Sequence, residues 1–76
     1  MENLTTILDK MELVNEENRP QVKQEFCTEM LKVIETLEAK GTVFGKTISE
    51  IYKTEVQQGN YSRALDCYEY LQEVNF

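Results

Sequence analysis

Leu4, Ile7, Leu8, Met11 and Val14 recur at the three-and-four spacing of one helical face, which predicts a short amphipathic helix over residues 4–14. Leu13 falls on the opposite face, outside that stripe. Asn15-Glu16-Glu17-Asn18 breaks the pattern. Pro20 suits the first turn of a new helix, where its missing N–H has no partner to lose, so a second helix should begin near Arg19. Its apolar residues run from Val22 through Phe26, Cys27, Met30, Leu31, Val33 and Ile34 to Leu37. At 100° per residue they spread over about half the helix circumference, too wide for one neighbour, which predicts a central helix packed on two flanks. Gly41, after Lys40, supplies the left-handed residue that closes helices.

Thr47-Ile48-Ser49-Glu50 has the form of a capping box, opening a third helix that runs to about Gln58 and buries Ile48, Ile51, Tyr52 and Val56; Thr42 offers a start one turn earlier. Gly59-Asn60 then makes a turn, with Asn60 as N-cap of a fourth helix that presents Tyr61, Ala64, Leu65, Cys67, Tyr68, Leu71 and Val74 on one broad face. No alternating strand pattern competes. The expected fold is all-α, one domain over residues 1–76. It is a small bundle of about four short helices joined by tight turns, closing on a C-terminal antiparallel hairpin; an up-and-down bundle and two stacked hairpins both satisfy the pattern.

Size and charge narrow the function. Seventy-six residues allow one modest core, and a formal charge of −6 repels phosphate backbones and anionic lipid. Direct nucleic-acid binding and a membrane site are therefore not expected, no apolar run reaches the roughly 20 residues of a bilayer span, and the cytoplasm is the expected location. Cys27 and Cys67 fall on apolar helix faces and read as buried free thiols. Two cysteines without a histidine do not make a zinc site, and no other cofactor is expected.

The stretch from Gly59 to Val74 resembles the turn and second helix of a tetratricopeptide repeat. Gly59 matches the turn glycine, Ala64 the small residue at which the two helices approach, and Tyr61 and Tyr68 the flanking aromatics. In the preceding helix Ile48 and Ile51 fit bulky positions, whereas Tyr52 stands where the family prefers a small residue and Glu55 where it prefers an aromatic. The resemblance covers roughly residues 46–74 and is not repeated upstream at the 34-residue period. It implies a helical hairpin that packs and binds partners, without chemistry.

Gly41-Thr42-Val43-Phe44-Gly45-Lys46-Thr47 approaches a phosphate-binding loop but is one residue short, and no strand precedes it. Its glycines are better read as shaping a helix-to-helix turn around Phe44. Glu12, Glu25, Glu29, Asp66 and Glu69 fall on solvated faces, and without histidine no nucleophile and base come together, so no enzymatic activity is expected. Tyr70 projects away from the predicted core amid Arg63, Asp66, Glu69 and Glu73. With Leu13 and the terminal Phe76 it makes a candidate partner-binding set: Tyr70, Leu13, Phe76, Arg63 and Glu73. The expected function is a non-catalytic interaction module that binds another protein and modulates it, in the manner of small acidic regulators of bacteria and phages. An acidic nucleic-acid mimic and a structural homo-oligomer, such as a homodimer, are the alternatives.

Overall fold

Four helices form close to where the apolar periodicity places them, in a computed structural model that describes residues 2–74. Helix α1 is Glu2–Leu13 and α2 is Arg19–Ala39. Helix α3 covers residues 43–57 without interruption, as α-helical Val43–Ile48, π-helical Ser49–Lys53 and α-helical Thr54–Gln57. Helix α4 is Tyr61–Glu73, and no strand occurs among the described residues.

The broad apolar face of α2 makes it the centre: α1, α3 and α4 all pack on it. Leu4 and Ile7 of α1 meet Val22, Phe26, Met30, Ile34 and Leu37 of α2, Ile48 and Val56 of α3, and Ala64, Cys67 and Leu71 of α4 in a single core. Phe26 is fully buried, with Tyr61 and Tyr68 edge-on to its ring at centroid distances of 5.5 and 5.8 Å. Ala64, fully buried, lies between those tyrosines on the α4 face. The aromatic pair flanking the small residue thus turns toward α2.

The third helix begins at the earlier of its two possible caps. Thr42 has an extended backbone, and its hydroxyl accepts the Gly45 N–H at 3.0 Å, whereas Thr47 lies inside the helix and donates to the Val43 carbonyl. Gly45 explains the choice. A Cβ there would stand 2.1 Å from the Leu37 carbonyl oxygen, so only glycine lets the first turn of α3 rest on the last turn of α2.

Burial along α3 also departs from the expected stripe. Ile48 and Val56 are buried, but Ile51 is 48% exposed and Ser49 takes an inward position. In an uninterrupted α-helix Ile48 and Val56 would point about 80° apart; the π turn holds an extra residue and swings Val56 back under Ile48. The same turn carries Ile51 outward.

Gly59, at φ 86°, closes α3 with a Schellman pair, the Asn60 N–H donating to the Glu55 carbonyl and the Gly59 N–H to that of Val56. Asn60 then caps α4 as expected, its side-chain oxygen accepting the Arg63 N–H at 3.2 Å. The turn sends α4 back along α3, and the C-terminal pair is an antiparallel hairpin.

Candidate interaction surface

Two polar arrangements flank the π turn. On the inner side, the Ser49 hydroxyl and the Lys53 ammonium, four residues apart, both donate to the carboxylate of Glu38 near the end of α2, the lysine at 2.9 Å. These bonds, Ser49 first and Lys53 second, hold the Glu38 carboxyl below its ordinary value, while the bond to Glu38 raises Lys53. Ser49 and Lys53 thus clamp α3 to the end of α2 through one carboxylate.

Acid should release this clamp. Because the fold lowers the Glu38 pKa, the stability it lends is present above the ordinary value of 4.5 and is lost as pH falls below it. Glu38→Gln should therefore lower the melting temperature at neutral pH and flatten its decline between about pH 5 and about pH 3. A variant declining as steeply as the wild type would place the acid sensitivity elsewhere.

On the outer side, Arg63 of α4 reaches back across α3. Its Nε lies 3.1 Å from Glu55 with the N–H pointed off that oxygen, so the contact is coulombic; one terminal nitrogen is 3.6 Å from Asp66 and the other donates to the Ile51 carbonyl at 3.4 Å. The guanidinium lies 4.8 Å from the centre of the Tyr52 ring. Burial raises the Tyr52 phenol and Cys67 adds to the effect, while the Arg63 charge opposes it. Tyr70 in turn stacks on Phe44, centroids 6.4 Å apart and planes 18° from parallel. Arg63, Tyr52, Tyr70 and Phe44 thus form a seam along the outer face of the α3–α4 hairpin.

This seam is partly wet. Tyr70 is 42% exposed, Ile51 opens beside the Arg63 contact, and Val43 and Val74 stand exposed at the end where Phe44 and Tyr70 stack. The structure brings Tyr70, Arg63 and Glu73 onto one helix, although Arg63 is engaged within the hairpin. Leu13 is 87% exposed but lies at the α1–α2 link beside the start of α2, whereas Phe44 follows the end of α2, about 30 Å away along that helix. It is not part of the seam. Phe76 lies outside the described residues. Phe44, Val43 and Ile51 complete the surface and were missed: Phe44 is far from Tyr70 in sequence, and Ile51 read as core until the π turn moved it.

Two shallow clefts of about 470 and 480 Å³ border α2, one against the α3–α4 turn and one beside α1. Gln24 and Thr28 line both; the cleft at the turn also holds Lys23 and the buried Cys27, and the one beside α1 holds Glu25 and Glu29. Both cysteines are free and buried; burial raises the Cys27 thiol and pushes that of Cys67 up to about 12. Ellman's reagent should accordingly label both about a hundredfold more slowly in the native protein than in urea; rapid native labelling would show that the core around Phe26 opens.

Among the described residues, no three metal-ligating side chains come together and no helix is long and apolar enough to cross a membrane. No family model, curated protein or solved structure matches the chain.

Proposed function

We propose that this protein is a non-catalytic interaction module that binds a partner protein through the α3–α4 seam and modulates it, acting in the cytoplasm. The observation that carries the reading is the stack of exposed Tyr70 on half-buried Phe44 beside Ile51 and Arg63, a concentration of tyrosine, arginine and aliphatic area typical of interface anchors. The hairpin's likeness to a tetratricopeptide repeat agrees with a binding role. Buried unpaired thiols agree with a reducing compartment.

The test is capture from nuclease-treated native extract with wild type, Tyr70→Ala and Leu13→Ala, each first shown to melt normally. Wild type and Leu13→Ala should hold the same protein through a high-salt wash, and Tyr70→Ala should lose at least about tenfold of it, as expected for an anchor worth about 1.4 kcal/mol or more. Equal retention by Tyr70→Ala would refute the seam. A nucleic-acid-binding protein released from all three by salt would favour acidic mimicry instead.

A further inference from the structure

We infer that the partner presents an amphipathic helix carrying lysines or arginines beside its apolar face, an inference that rests on the docking reading above. Charge supplies the first argument. Around the apolar line of Phe44, Tyr70 and Ile51, residues Glu50, Glu69 and Glu73 are exposed and Asp66 is 56% exposed at its side chain. Of the hairpin's cations, Lys53 is held by Glu38 and Arg63 by Glu55 and Asp66, which leaves Lys46 to balance the exposed acids. The seam is apolar at its centre and negative at its rim, so its complement is apolar at the centre and positive at the rim.

The same balance argues against a second copy as occupant. A two-fold contact between identical seams would set one negative rim against another.

Geometry supplies the second argument. The seam runs between two antiparallel helices whose backbones are bonded internally, so it offers no strand edge to extend and only side-chain ridges to fill. A helix laid along it meets Phe44 and Tyr70 at one end and Ile51 and Arg63 toward the other. Residues 43–57 span about 22 Å, which a partner helix of about four turns would match, using anchors at i, i+3, i+4 and i+7.

The probe is a displayed library of helix-compatible peptides of about sixteen residues, randomised at every exposed position and selected on the full chain. Enriched sequences should carry net positive charge and apolar residues at helical spacing. A synthetic consensus peptide should then lose at least tenfold in affinity for Tyr70→Ala or Phe44→Ala and at least threefold for Glu69→Lys/Glu73→Lys, all with native circular dichroism. No enrichment, or enrichment of acidic or non-helical sequences that still need Tyr70, would overturn the partner class and leave the docking surface standing. Enrichment indifferent to both Tyr70→Ala and Phe44→Ala would overturn the docking surface itself.

Discussion

Replacing Gly45 with alanine should lower the melting temperature by about 10 °C, although alanine is the better helix former. The exchange gains about 1 kcal/mol in helix propensity. Against this, the new Cβ would stand 2.1 Å from the Leu37 carbonyl oxygen and 2.7 Å from its carbon, both backbone atoms that cannot rotate away. Relief requires α3 to lift from the last turn of α2, taking the Thr42 cap and the Ser49–Glu38 bond with it. Overpacking at the upper end of its usual range, about 3 kcal/mol, leaves a net loss near 2 kcal/mol, and each of those is worth about 4–8 °C in a chain this short. Gly41→Ala makes a useful contrast: its Cβ would meet nothing within 4 Å, and its loss, about 1 kcal/mol, would come from φ +72° alone. If thermal melts rank Gly41→Ala below Gly45→Ala, the seating of α3 on Leu37 is wrong.

Phe26→Ala should be the most damaging single truncation in the core. The side chain is fully buried at the middle of α2, and its ring is the surface on which Tyr61 and Tyr68 pack edge-on. Removing it forfeits the transfer free energy and leaves a cavity, together about 3–5 kcal/mol, and both tyrosines lose aromatic contacts worth about 0.5–1.5 kcal/mol each, part of which that figure already includes. A domain of this length holds only about 4–11 kcal/mol in total, so the variant should be close to unfolded at 37 °C. Urea unfolding followed by far-ultraviolet circular dichroism would measure it. A loss below about 1.5 kcal/mol would mean that Tyr61 and Tyr68 close over the space and that Phe26 is not their common support.

The sequence pattern revealed the all-α class and the positions of α1, α2 and α4, because their apolar residues keep a helical period from end to end and because Pro20, Gly41, Gly59 and Asn60 punctuate them with local chemistry. The third helix resisted the same reading. Its period is broken by the π turn, which exchanges the roles of Ser49 and Ile51, and a polar residue on an apolar stripe beside an isoleucine was the one local sign of it. The start of α3 depended on Gly45 meeting a carbonyl of another helix, a tertiary fact with no mark in the flanking residues. The surface was half legible for a similar reason. Tyr70 stood out by its angle on α4, whereas its stacking partner Phe44 and the inward commitment of Arg63 follow only once α3 and α4 lie side by side. Leu13 looked like a companion because exposure can be read along one helix, but the distance between two exposed residues cannot.

An added residue in a helix normally throws everything beyond it out of phase by about 100°, and the core pays for the whole downstream segment. Residues 49–53 absorb such an insertion within a single wide turn. The third helix is therefore where this chain is tolerant of length: a version one residue shorter at that turn would heal into ordinary α-helix, keep Ile48 and Val56 inward, and surrender only the outward bulge that presents Ile51.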